Sequence, residues 1–81
     1  MSVNPNHTTL SDLQFERYSQ TVIEYLNTVP RIRNRDLRKV AGINYDQAIA
    51  FFNRAIDERL LVRVGKGSAT SYTLARKGQN V

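Results

Sequence analysis

A three-residue link, Gly42-Ile43-Asn44, is the feature of this 81-residue sequence that most constrains its fold. Glycine commonly ends a helix in the left-handed conformation, and asparagine is among the best residues for capping the start of a new helix. Because one residue separates these two signals, one helix must end and another begin within a short turn. Ala48 provides the small side chain that two helices crossing through such a turn need for close approach.

Helix signals on both sides of this link predict three helices. Ser11 can cap a first helix from about 12 to 28, with Gln14 placed to complete a capping box, and Pro30 ends it. Asn34 can cap a second helix from about 35 to 41, and Asn44 a third helix that runs to about 60.

The helical period divides the third helix into a buried and an exposed side. The predicted buried residues are Tyr45, Ala48, Ile49, Phe52, Ala55, Ile56 and Leu60, and Phe51 falls at the margin. The predicted exposed residues are Asp46, Gln47, Ala50, Asn53, Arg54 and Asp57.

After the third helix the sequence changes to strand-like segments. Residues 61–64 and 71–74 read as two strands joined by the loop GKGSAT, which predicts a hairpin. Residues 31–33 alternate as a short edge strand would, with Ile32 buried between two exposed arginines.

Composition limits the classes of protein to which the chain can belong. Its length suits one domain, predicted over residues 11–76, between a flexible arm at 1–10 and a tail at 77–81. The absence of cysteine excludes disulfides and thiolate chemistry, and no apolar run is long enough for a membrane span. The N-terminus lacks the features of a signal peptide, so we expect a soluble cytoplasmic protein, associated with the nucleoid or, if viral, in the host-cell cytoplasm.

The net charge of +5 points to a polyanionic partner. The excess lies in two separate blocks. Residues 31–41 hold five cations and one anion, and residues 61–81 hold four cations and no anion. The blocks form one binding surface only if folding brings them together.

The segment RNRDLRKVAGINYDQAIAFFNRAIDERLLVRVGKGSATSYTL, residues 33 to 74, resembles a winged helix-turn-helix domain. The resemblance covers about half of the chain and implies an α+β fold of three helices, a short edge strand and a C-terminal two-stranded hairpin, the wing. Domains of this family occur as free regulators and as parts of larger proteins. The third helix, 44–60, is then expected in the major groove of double-stranded DNA, and the wing, 61–74, on the backbone or in the minor groove. The expected function is that of a small transcriptional regulator.

Charge and resemblance together predict the DNA-binding residues. Asp46 is among the positions of the third helix that are expected to face the groove or lie next to it. Lys66 lies at the tip of the wing, between two glycines that let the backbone approach a surface. The full set of predicted DNA-binding residues is Arg33, Arg35, Arg38, Lys39, Asn44, Tyr45, Gln47, Ala50, Arg54, Arg63 and Lys66.

Other interpretations remain open. The cations can serve solubility alone, and Arg54 can form an ordinary surface pair with Asp57 or Glu58. Ile49 and Phe51, bulky for a DNA-facing helix, favour the alternative of a protein-interaction domain. Helix 1 has an apolar stripe that suits a homodimer.

Catalysis has little support in the sequence. The only histidine, His7, lies in the predicted arm, and the glycines around Lys66 lack the spacing of a P-loop. We therefore expect no enzymatic activity, cofactor, metal, small-molecule ligand or membrane partner.

Overall fold

The computed structural model describes residues 10–75. It contains three helices followed by an antiparallel hairpin, in the α+β arrangement of a winged helix. The elements are α1 (Asp12–Leu26), α2 (Asn34–Ala41), α3 (Tyr45–Asp57), β1 (Leu61–Val64) and β2 (Ser71–Leu74). The predicted tail, His7 and all of the predicted arm except Leu10 lie outside the described residues. Leu10 itself is buried in the core.

The predicted caps of α1 and α3 are confirmed as reciprocal hydrogen-bond pairs. The Ser11 hydroxyl accepts from the Gln14 N–H at 3.1 Å, while the Gln14 side chain accepts from the Ser11 N–H at 3.1 Å. Asn44 and Gln47 form the same pair at the start of α3, at 2.8 and 3.0 Å. Each pair satisfies two backbone donors that a helix start would otherwise leave without a partner.

The predicted cap of α2 is wrong by one residue. Arg33 takes the extended cap position, and its N–H donates to Asp36 Oδ2 at 3.0 Å. Asn34 is instead the first helical residue, and its side-chain oxygen accepts from Arg38 Nε at 2.7 Å. The helix ends as predicted at Gly42, in the left-handed conformation with φ 68°.

Helix α3 is rotated relative to the predicted faces. Phe51, expected at the margin, is fully buried together with Ala48, Phe52 and Ala55. Tyr45 and Ile49, expected inside, are 56% and 37% exposed. The physical reason is aromatic packing against α1, because the Phe51 ring lies 5.2 Å from that of Phe15, centroid to centroid.

The hairpin is joined to the helical part of the fold by a single-residue bridge. The Ile32 N–H donates to the Tyr72 carbonyl at 2.9 Å, and the Tyr72 N–H donates to the Ile32 carbonyl at 2.8 Å. The predicted edge strand at residues 31–33 is therefore reduced to Ile32 alone. The Tyr72 ring also stacks on Phe52 of α3, with 3.9 Å between centroids. Backbone and side-chain contacts thus fix the hairpin relative to both α2 and α3.

Candidate nucleic-acid interface

An open cleft of about 500 Å³ lies between the start of α2, one side of α3 and the hairpin. Helix α3 contributes Tyr45, Ile49 and Asn53 to the wall of the cleft. The remaining lining residues are Arg33, Asn34, Arg35, Arg63, Gly67, Ser68, Thr70 and Tyr72. Arginines from both basic blocks of the sequence therefore meet at one site, and none of the acidic side chains between residues 10 and 75 lines it.

The three cleft arginines reach this site from backbone that the fold holds in place. Arg33 caps α2 directly after the bridge residue Ile32, and Arg35 lies in the first turn of the same helix. Arg63 lies on β1, paired in register with Tyr72, which is the other bridge residue. The bridge between Ile32 and Tyr72 therefore brings the two basic blocks together.

These arginines are exposed, and their guanidinium groups form no ion pair with a carboxylate within residues 10–75. Both ion pairs in that part of the chain belong to Arg54. Arg33, Arg35 and Arg63 form none there. A cluster of unpaired guanidinium groups repels itself unless an anion is present, and guanidinium groups bind phosphate through paired N–H donors.

Arg54, predicted to contact DNA, points to the opposite side of α3. Its guanidinium donates to Glu58 at 2.8 Å and to Asp12 at 2.7 Å, and it lies over the Phe15 ring at 4.4 Å. The hydrogen bond with Glu58, followed by that with Asp12, raises the pKa of Arg54 above its ordinary value. These contacts tie α3 to the first turn of α1.

Three other predicted α3 contacts also have partners within the protein. Asn44 and Gln47 use their side chains in the capping pair, and Ala50 is partly buried against the core. Tyr45, by contrast, is exposed at the mouth of the cleft, and the Arg38 guanidinium lies 5.6 Å from its ring centroid.

The remaining predicted cations are exposed but do not line the cleft. Arg38 lies on α2 one turn after Asn34, a residue of the cleft lining, and its Nε donates to the Asn34 side-chain oxygen. Lys39 is the next residue along the same helix. Lys66 lies directly before the 3-10 turn Gly67–Ala69 at the end of the hairpin. Asp46 and Asp57 are exposed on α3 and also lie outside the cleft lining.

Ile49 and Asn53 line the cleft but are not among the residues predicted from sequence to bind DNA. The helical period predicts Asn53 on the exposed side of α3, without a role, and Ile49 on the buried side. Their spacing from Tyr45 by whole four-residue steps is the sequence signal that the three share one stripe. That stripe becomes visible only once Phe51 is assigned to the core.

Neither a metal site nor a membrane helix is found within the described part of the chain. No group of three or more His, Cys, Asp or Glu side chains between residues 10 and 75 lies close enough to hold a metal ion. No helix in the same range combines the length and the apolar character that crossing a bilayer requires.

Comparison with known proteins supports the fold. No protein-family model matches the sequence, and no curated protein matches it. The structure is similar to that of the DIP2311 protein from Corynebacterium diphtheriae, with a TM-score of 0.67 over 83% of this chain and 21% sequence identity. The chain spans 14% of the length of that protein, so the similarity concerns one fold within a longer chain.

Proposed function

We propose that this protein binds double-stranded DNA as a small, non-catalytic transcriptional regulator in the cytoplasm. Helix α3 enters the major groove, and the hairpin lies on the backbone or in the minor groove. The observation that carries the proposal is the cleft beside α3, which gathers Arg33, Arg35 and Arg63 without an acidic side chain.

The charge arrangement supports a polyanionic ligand over a general role in solubility. Charges that serve solubility are typically interspersed with charges of the opposite sign. Here Arg63 shares one concave site with Arg33 and Arg35, which lie about 30 residues earlier in the sequence, while Arg54, outside that site, is paired with two carboxylates. Phosphates of a DNA backbone present regularly spaced anions to such a cluster.

The test is binding of the full chain to a random-sequence duplex at several salt concentrations. We expect affinity to fall linearly with salt on a log–log plot, because phosphate contacts release condensed counterions. Arg63→Ala should weaken binding and lower the magnitude of the slope by about one, as expected for one lost phosphate contact. Arg33→Ala should do the same.

Arg17→Ala is the matched control, since Arg17 is an exposed arginine on α1 outside the cleft. It removes the same charge and should leave the slope nearly unchanged. Absence of duplex binding, or equal effects of Arg17→Ala and Arg63→Ala, would contradict the proposal. Arg54→Ala tests the sequence prediction for that residue through the salt slope, because an unchanged slope would mean that Arg54 makes no phosphate contact.

The alternative function is a protein-interaction domain, and the exposure of Ile49 and Tyr45 favours it. Two large, partly apolar side chains on one helix face suit a protein partner as well as a DNA groove. In that case the duplex assay should show neither binding nor a steep salt dependence.

A further inference from the structure

The stripe of α3 that faces the cleft contains only one of the residues predicted from sequence to bind DNA, Tyr45. Tyr45, Ile49 and Asn53 follow one another by single helical turns and all line the cleft. Gln47 and Arg54, two other predicted DNA-binding residues of α3, form side-chain hydrogen bonds within the protein.

Asn53 is the residue of this stripe that carries an amide, and that amide is available to a ligand. It is exposed, and its amide forms no side-chain hydrogen bond with another residue of the range 10–75. An asparagine amide offers one acceptor and two donors, which match the N6 and N7 edge of adenine in the major groove. Ile49, one turn earlier, offers an aliphatic surface of the kind that contacts the thymine methyl group.

The positions of the two residues fit this pairing. Side chains one helical turn apart are separated by about 5–6 Å, which lies between one and two base-pair steps of about 3.4 Å, so the two side chains can reach neighbouring base pairs. Arg33, Arg35 and Arg63 border the same cleft and can bind phosphates of the DNA backbone. The stripe of Tyr45, Ile49 and Asn53 would then face the bases that lie between those phosphates.

We propose that Asn53 and Ile49 determine the sequence preference of this protein by reading A·T pairs at adjacent positions, Asn53 through an adenine edge and Ile49 through a thymine methyl group. The inference rests on the proposed DNA-binding function and adds which residues read the duplex and which base pairs they select.

The experiment begins with selection of bound duplexes from a random pool by the full-length wild-type chain, Asn53→Ala, Ile49→Ala and Gln20→Ala. Gln20 is an exposed amide on α1, so its variant is a control for the loss of a side-chain amide outside the cleft. Circular dichroism confirms that each variant is folded. We expect wild type and Gln20→Ala to enrich a shared motif with adjacent A·T pairs, and each α3 variant to lose preference at one position.

Base analogues then test the individual contacts on the enriched duplex. Replacing the selected adenine by 7-deazaadenine removes N7, one of the two atoms of the bidentate contact, and should lower wild-type affinity measurably but by less than the roughly 5- to 150-fold that the whole contact provides. The same replacement should have little effect on Asn53→Ala, because the contact is already absent. Replacing thymine by uracil should weaken wild type but not Ile49→Ala.

The outcomes separate this inference from the proposed function. If no duplex is retained from the pool, both fail together. If duplex is retained and the motif lacks A·T pairs, or persists unchanged in Asn53→Ala and Ile49→Ala, the inference is wrong while DNA binding stands. Asp46→Ala, selected from the same pool, tests the exposed carboxylate of α3. A motif altered only in that variant would assign base reading to Asp46 and overturn the inference in the same way.

Discussion

Gly65 and Gly67 flank Lys66 at the end of the hairpin and both adopt positive φ angles, of 80° and 60°. Their surroundings differ. A Cβ atom at Gly65 would lie 2.5 Å from the Ala69 carbonyl oxygen, whereas nothing lies within 4 Å of one at Gly67. Gly67 is thus required by backbone conformation alone, and Gly65 by conformation and by lack of space.

This difference predicts unequal losses of stability for two chemically identical substitutions. Gly67→Ala should lower the free energy of unfolding by about 1–2 kcal/mol, the cost of a left-handed conformation for a residue with a side chain. Gly65→Ala should cost more, because the backbone at Ala69 must also move. Urea unfolding of both variants measures the difference, and equal losses would show that the loop relaxes around the added methyl group.

Single residues also show what local sequence signals can and cannot predict. Ser11, Gly42 and Asn44 were predictable because a cap or a left-handed turn depends on one side chain and its immediate neighbours. Asn34 was not, although it is as good a capping residue as Asn44. Its amide bonds Arg38 instead, and the helix begins one residue earlier because Asp36 can accept from the Arg33 N–H.

At the scale of elements, the orientation of α3 decides which side chains reach the cleft. Phe51 and Phe52 are adjacent and both buried, so the core side of α3 is centred between them and Ala55. Phe51 contacts the aromatic rings of Phe15 and Tyr18 on α1, while Phe52 stacks on Tyr72 of β2. These contacts turn Ile49 toward the cleft.

The orientation of α3 predicts unequal losses of stability when two of its apolar residues are replaced by alanine. Phe51→Ala should lower the free energy of unfolding by about 3–5 kcal/mol, as expected when a buried aromatic side chain is removed. Ile49→Ala should cost much less, because Ile49 is more than one-third exposed. Thermal or urea denaturation compares them, and a larger loss for Ile49→Ala would support the faces predicted from sequence.

The order and type of the elements could be predicted from sequence, but the rotation of α3 could not. The helical period places Phe51 and Phe52 about 100° apart around α3, so that either residue can lie at the centre of the buried side. The choice depends on which aromatic partners arrive from α1 and β2, which are remote in sequence. For the same reason the lining of the cleft, and with it Asn53, could be found only in the folded structure.

At the scale of the whole molecule, most of the apolar stripe of α1 is used within the core. Phe15, Tyr18, Tyr25 and Leu26 are partly buried against it. Leu13 stands out, because it is 65% exposed. The homodimer expected from the sequence through helix 1 remains a prediction, and Leu13 is the residue on which it now depends.

Sedimentation equilibrium tests the dimer. We expect the wild-type chain to associate as a dimer and Leu13→Glu to be monomeric, because a charge at an apolar contact must be desolvated. Val62→Glu introduces the same charge at an exposed apolar position of β1 and should remain dimeric. A monomeric wild-type protein, or a Leu13→Glu variant that remains dimeric, would exclude an interface that depends on Leu13 of helix 1.

The bridge between Ile32 and Tyr72 also has a consequence for synthesis of the protein on the ribosome. Arg33 and Arg35 emerge early, but Arg63 and the Tyr72 backbone groups that hold Ile32 emerge near the end of the described chain. A polypeptide that stops before Tyr72 lacks the backbone groups that pair with Ile32, and therefore cannot form the complete cleft.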